Sequence, residues 1–431
     1  MANDDSSKAL QPASSRALSI SGNQPEGVKA RMTQGALEIA RSYLIVPSKT
    51  FHKVGGYEFC DLDYRQLCLW GEQFAMTPDE IVKMLTEMQP TEEHPSWLRD
   101  GYDTYRFTVE DGHIKRLFWN FNKEPEGSFQ ILDGLLVGRV LLYGHDEVDL
   151  FHGESVTPHL PALEGLACIG CGITFLDLSG VPQLTTLGCG ENQLTDLDLS
   201  GLPQLTELSC EGNQLTELHL LRVSQLSVLR CGGNQLTDLD LSGVPQLTTL
   251  DCGGNRLTDL DLSGIPQLTE LVCEWNQLTG LDLSGVPQLT EVWCIDNNIT
   301  NLDLSGVPQL TELSCGGNQL TELDLSGVPQ LTELWCGGNQ LTDLDLSGVP
   351  QLTELWCVGN QLTELDLSGV PQLTELYCGE NQLTDLDLSV VPQLTKLWCR
   401  GNQLTKLDIR PLNHLKTLDV DDSVRIIGNR P

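Results

Sequence analysis

LTELWCGGNQLTDLDLSGVPQ, residues 331–351, is one copy of a 21-residue string that fills the chain from about residue 160 onward. Its first half alternates. In an extended backbone Leu334 and Cys336 point to one side with Leu331, while Glu333 and Trp335 point to the other. Asn339 sits where the chain must bend, and its short amide side chain can bond neighbouring backbone there. The second half alternates again, with Leu341, Leu344 and Leu346 inward and Asp343 and Asp345 outward, before Gly348 and Pro350 turn the chain. One unit alone cannot bury its apolar side, but stacked copies make a continuous core. The pattern predicts two short strands per unit, one in a concave sheet and one on the opposite face, with no helix in so short a span.

The register of the repeat is strict. Cysteine recurs at 168, 189, 210, 231, 252, 273, 294, 315, 336, 357, 378 and 399, and Val420 takes the next place. Asparagine follows three residues later from 192 to 402, with Cys171 in that place in the first copy and Ser423 in the last. Proline recurs at 161, 182, 203 and from 245 to 392, with Ser224 and Asn413 as exceptions. Leucine, two variable residues, leucine, one variable residue, an apolar residue, two variable residues, then Asn or Cys and leucine is a pattern that resembles the leucine-rich repeat family over about 160–427. The 21-residue form with cysteine at the apolar position is similar to the cysteine-ladder repeats of internalin-type bacterial surface proteins. That resemblance implies a bacterial protein-binding solenoid. With strands about 4.8 Å apart, twelve steps span about 58 Å.

The same register bears on the 15 cysteines. The recurring cysteines fall in an inward column, where a thiol behaves as a small buried hydrophobe. Their side chains run parallel, which does not suit disulfide geometry. Cys168 and Cys171 have the spacing of a redox pair, yet one lies in the core column and the other in the asparagine column. Free thiols in this number imply a reducing compartment. The expected location is cytoplasmic, with a secreted effector lacking a classical signal peptide as the alternative, because MANDDSSKAL is polar and acidic and no wall-sorting tail is seen.

Upstream of the repeats, residues 1–25 read as a flexible polar tail and 26–150 as a small α+β unit that caps the solenoid of 151–431. Helices are expected from Met32 to about Leu44 and over 77–88, where Thr77 can cap and Asp79 and Glu80 suit the positive end. Residues 102–121 alternate on both sides of Asp111-Gly112, a hairpin signal, and further strands are expected within 129–150. The histidines and the Cys60–Cys68 pair of this unit show no ligand spacing, so no catalytic residue is assigned. No transmembrane run is present, since the best apolar stretch, 131–143, is short and holds Asp133 and Arg139.

Function is therefore sought in the outward columns. The column before the cysteine reads Gly188, Ser209, Arg230, Asp251, Val272, Trp293, Ser314, Trp335, Trp356, Tyr377 and Trp398. Two residues earlier stand Glu270, Glu291, Glu312, Glu333, Glu354 and Glu375, then Lys396, and Trp275 adds an aromatic beside the same sheet. Plain repeat duplication explains such rows. A row of exposed tryptophans is nevertheless a solubility liability, and tryptophan supplies large contact area at interfaces. With the glutamates it suggests a surface for a basic or partly apolar protein or peptide, and a cationic group can lie on the rings. The formal charge of −35, with no lysine or arginine from 257 to 395, disfavours direct contact with nucleic acid or anionic membrane. On the opposite face run Asp282, Asp303, Asp324, Asp345, Asp366 and Asp387, with Glu322, Asp343, Glu364 and Asp385 beside them. No cofactor is expected; calcium, a hard cation that prefers carboxylate oxygen, is the metal considered for this face, although each column is one-dimensional and lacks a recognisable cage. Two further readings stay open: an enzyme or effector whose N-terminal unit is catalytic and whose repeats select the target, and a structural solenoid that self-associates through the aromatic band.

Overall fold

The computed structural model describes residues 51–60, 63–64, 67–68, 76–87, 108–110, 113–118 and 162–429. The expected tail, the helix over 32–44, the strands over 129–150 and the boundary near 150 lie outside the described residues.

Short alternating stretches make short strands, and the N-terminal part shows two pairs of them. Strands β1 (Phe51–Val54) and β2 (Tyr57–Cys60) are antiparallel, joined through Gly55 and Gly56 at φ of 54° and 87°. Helix α1 (Pro78–Glu87) starts where the sequence predicts. The Glu80 N–H donates to the Thr77 hydroxyl at 3.3 Å and the Thr77 N–H donates to the Glu80 carboxylate at 2.7 Å. This reciprocal cap satisfies two of the orphan donors of the first turn. Its apolar stripe, Ile81, Val82 and Leu85, is buried. Strands β3 (Thr108–Glu110) and β4 (His113–Phe118) form the second antiparallel pair.

Each repeat contributes one three-residue strand. These are β5 (Gly165–Ala167), β6 (Thr186–Gly188), β7 (Glu207–Ser209), β8 (Val228–Arg230), β9 (Thr249–Asp251), β10 (Glu270–Val272), β11 (Glu291–Trp293), β12 (Glu312–Ser314), β13 (Glu333–Trp335), β14 (Glu354–Trp356), β15 (Glu375–Tyr377), β16 (Lys396–Trp398) and β18 (Thr417–Asp419). They stack in parallel in sequence order, and β4 pairs in parallel with β5, so β3 and β4 complete a 15-stranded sheet. The N-terminal pair thereby covers the open edge of the first repeat, and the core runs without a break from Phe59, Ile81 and Ile114 into the repeat leucines.

The second half of the repeat departs from expectation. Leu341, Leu344 and Leu346 are buried as the alternation requires, but the backbone forms no second ladder there. Instead the chain enters linked turns, with the Val349 N–H donating to the Leu346 carbonyl at 3.2 Å and the Leu352 N–H to the Val349 carbonyl at 3.1 Å. Each aspartate of the outward column closes the first of these turns: Asp345 Oδ1 accepts the Ser347 N–H at 2.9 Å, and Asp282, Asp303, Asp324, Asp366 and Asp387 do the same for their own serines. Side-chain bonding to a nearby backbone group has won over strand pairing. Only in the last turn do two strands pair on that face, β17 (Lys406–Asp408) with β19 (Arg425–Ile427).

What locks one repeat to the next is buried polar bonding. Asn339 Nδ2 donates to the carbonyls of Cys315 and Cys336 at 3.0 and 3.1 Å, and its Oδ1 accepts the Leu320 N–H at 3.0 Å. The Thr332 hydroxyl donates to the Thr311 carbonyl at 3.0 Å. Both patterns recur along the stack, so the bends inside the core leave few unpaired backbone groups. The cysteines lie beside them as expected. Burial pushes the Cys336 thiol up to about 12, which keeps it protonated and unreactive.

Candidate functional site: the outward face of the sheet

Strand register decides what the outward columns become. The pairings Glu270↔Glu291, Glu291↔Glu312, Glu312↔Glu333, Glu333↔Glu354 and Glu354↔Glu375 place six carboxylates in one line across adjacent strands. All six are half-buried, and no lysine or arginine stands in the row until Lys396, whose Nζ lies 2.8 Å from Glu375 Oε1. Burial, and next the charges of Glu312 and Glu375, raise the carboxyl of Glu333 above its ordinary value. Burial is also the first cause for Glu291, Glu312 and Glu354, with neighbouring glutamates adding to it. The aspartate column of the other face behaves oppositely. The carboxyl of Asp345 is held low by the backbone and side chain of Ser347, and repulsion from Asp324 is the lesser effect. Those aspartates hold turns; among the described residues no three histidines, cysteines or carboxylates converge on a metal position.

The aromatic column is not the uniformly exposed row the sequence suggests. Trp335 and Trp356 stack with ring centres 5.0 Å apart, Trp356 and Tyr377 at 3.7 Å, and Tyr377 meets Trp398 edge-on at 5.1 Å. Strands one rung apart bring the rings to stacking distance, and the rings shield one another. Tyr377 is only 5% accessible and Trp356 is half-buried, while Trp335 and Trp398 at the ends keep 38% and 45%. The Trp356 indole N–H is covered by the stack and meets no protein acceptor. Trp293 stands half-buried on the far side of Ser314, which itself is 4% accessible.

Trp275 lies off the strand, in the turn after Cys273, and is 59% accessible. Its backbone takes φ 51°, where the same column holds glycine at 212, 233, 254, 317, 338, 359 and 401. A left-handed L-residue costs roughly 1–2 kcal/mol. Asp296, one repeat on, adopts φ 52° and accepts the Trp275 Nε1–H at 2.8 Å. Sequence reasoning placed Trp275 beside the sheet but missed its partner Asp296. The interrupted glycine column was the available signal.

The profile of leucine-rich repeats (two copies) matches residues 182–222, 224–265, 308–348 and 350–390. No curated protein matches the chain. Among solved structures the chain is similar to the functional domain of InlJ from Listeria monocytogenes, which includes a cysteine ladder, at 38% identity and TM-score 0.58 over 62% of this chain and 60% of that one. It thus spans about three-fifths of that domain's length. It is also similar to an internalin, inlF, of Listeria monocytogenes at 26% identity and TM-score 0.57, covering 64% of this chain and 86% of that one. A plant peptide hormone receptor, RGFR1 in complex with RGF2, shares the fold at 18% identity and TM-score 0.52, over 63% of this chain and 54% of that one. Residues 162–429 form a leucine-rich repeat solenoid homologous to the internalin-type repeats and sharing their buried cysteine ladder.

Proposed function

We propose that the chain is a noncatalytic binding module that receives a basic, partly apolar protein or peptide on the outward face of its sheet. The observation that carries this is the row of six in-register, half-buried glutamates with no lysine or arginine between 257 and 395, running beside a stacked aromatic band. Such a row carries a standing cost that a cationic partner relieves, while Trp335 and Trp398 supply apolar contact at the two ends. The fold is one that carries protein and peptide recognition elsewhere, RGFR1 with RGF2 being an instance; that likeness is one of fold alone. The reducing compartment expected from the thiols belongs to the same proposal.

A pull-down from the native environment compares wild type with the triple variant Trp335→Ala, Trp356→Ala, Trp398→Ala. A specific band is expected with wild type and absent with the variant, while circular dichroism confirms that the variant is folded. Equal capture by both proteins removes this face as the site. Self-association through Trp335 and Trp398 would have to bring two glutamate rows together, which like charge opposes. Light scattering at increasing protein concentration checks that the chain remains a monomer.

A further inference from the structure

One aromatic side chain stands off the sheet. Among the described residues, four that are not glycine take left-handed backbone: Glu191, Trp275, Asp296 and Glu380. All four fall in the column two places after the ladder cysteine, where glycine is the usual occupant. Trp275 is the apolar member of the four, and at 59% it is more accessible than Trp335 or Trp398. Its position is fixed from two sides. The Trp275 backbone N–H donates to the Ile295 carbonyl at 2.9 Å, and the indole N–H donates to Asp296 Oδ2 at 2.8 Å. Asp296 Oδ1 fills the space where a Cβ at position 317 would stand, so Gly317 makes room for the partner of the indole. One edge of the ring is thereby pinned while the side chain stays open to solvent. Within this repeat Glu270 belongs to the carboxylate row, Val272 to the column that becomes aromatic, and Trp275 to the rim just beyond the end of β10.

We propose that Trp275, Glu274 and Asp296 form a rim anchor for a cationic side chain of the basic partner, which lies over the exposed indole and is neutralised by the two carboxylates. This anchor rests on the sheet face being the binding surface, and adds the place where the partner leaves that face: over the rim at the ends of the strands. Charge complementarity selects the occupant. Glu274 is half-buried, and burial, then the charges of Asp251 and Asp296, raise its carboxyl. Glu274 Cγ and Asp251 Oδ1 lie 3.2 and 3.5 Å from where a Cβ on Gly253 would stand, so the missing side chain there admits both acids. Arg230 acts on Asp251, but no basic side chain among the described residues offsets the charge at Glu274. An apolar group on Trp275 would cover these carboxylates without neutralising them, which costs energy. A cation gains from the electron-rich ring face and from the carboxylates together. The anchor also sets the least length of the partner. β10 and β13 are three strand spacings apart, so a partner that touches both Trp275 and Trp335 spans about 14 Å along the stack.

The test uses the full chain and fluorescein-labelled peptides in which leucine alternates with arginine, lysine or citrulline, read by fluorescence anisotropy. Trp275→Gly removes the ring, keeps the net charge and gives the left-handed position the residue that suits it, so its urea midpoint should not fall below that of wild type. Its affinity for a cationic peptide should drop about fivefold or more, the size of a cation–π contact, with no change for the citrulline peptide. Whichever of arginine and lysine suffers the larger loss names the cation. Glu274→Gln should weaken the same peptide more than Glu364→Gln, which removes one charge from the opposite face. A folded Trp275→Gly protein that binds both cationic peptides like wild type overturns the anchor, as does an equal loss with citrulline, or an absence of binding by any peptide. If Trp275→Gly has no effect but the triple variant of Trp335, Trp356 and Trp398 loses the peptides, the sheet face stands and the anchor falls. If Trp275→Gly weakens binding and the triple variant does not, the rim holds the cation and the sheet face falls. If neither variant matters, both readings fall together.

Discussion

Asn339 and Cys336 show how single side chains hold the repeat. Asn339 is buried and bridges three backbone groups in two repeats. Asn339→Ala leaves the Leu320 N–H without its acceptor, while the Cys315 and Cys336 carbonyls keep Asn318 and Asn360 as donors, so it is expected to destabilise the protein by about 1–3 kcal/mol, the cost of one orphaned buried group. Urea denaturation checks this, and an unchanged midpoint would mean that water replaces the amide. The ladder cysteines have another role. Their thiols are buried, and burial lifts those of Cys168, Cys294 and Cys336 to about 12. Iodoacetamide at mildly alkaline pH is expected to leave the ladder cysteines of the native protein unlabelled and to label them after denaturation. Native labelling detected by mass spectrometry at Cys336 would contradict a closed core.

The strand is where stability and binding oppose each other. Along β11 to β14 the carboxyls of Glu291, Glu312, Glu333 and Glu354 are raised above the ordinary 4.5. A folded-state value above the unfolded one means that the fold holds the proton more tightly. The glutamates therefore handicap the fold at pH 7, and that handicap disappears as pH falls through the raised values to the ordinary one. Changing all four to glutamine should raise the urea midpoint at pH 7, and the advantage should close near pH 4. The aspartate turns do not mask this, because Asp345 and its equivalents lie below the ordinary 3.8 and their contribution fades only at lower pH. The same quadruple variant should lose the basic partner. A variant that gains stability and keeps full affinity would show that the row serves no partner.

At the scale of the molecule, the chain carries a net charge of −35, and the solenoid presents acidic columns on both faces. Raising ionic strength from about 10 mM to about 150 mM shortens the screening length from about 30 Å to about 8 Å. The expected result is a higher unfolding midpoint and a slower association with the basic partner, both without any new contact. Stopped-flow mixing and thermal melts at the two salt levels measure them, and salt-independent association would argue that charge does not steer the encounter. Lys396 opposite Glu375, and Arg400 3.3 Å from Asp419, end the repulsion at the C-terminal turns.

The 21-residue spacing, with leucine and cysteine inward and glutamate and tryptophan outward, by itself determined the solenoid, its single direction of stacking and the face on which the candidate site lies. Repeats repeat their contacts, so a one-dimensional pattern is enough to fix a quasi-one-dimensional fold. What it could not determine was how identical neighbours treat each other across one strand spacing. Alternation alone made the second half of the unit look like another strand, while Asp345 and its equivalents diverted that backbone into turns by accepting the Ser347-type N–H groups. The letters of the aromatic column looked alike, yet stacking buries Tyr377 and leaves Trp335 and Trp398 accessible. Those outcomes depend on distances between residues 21 apart, and only the packed stack sets them.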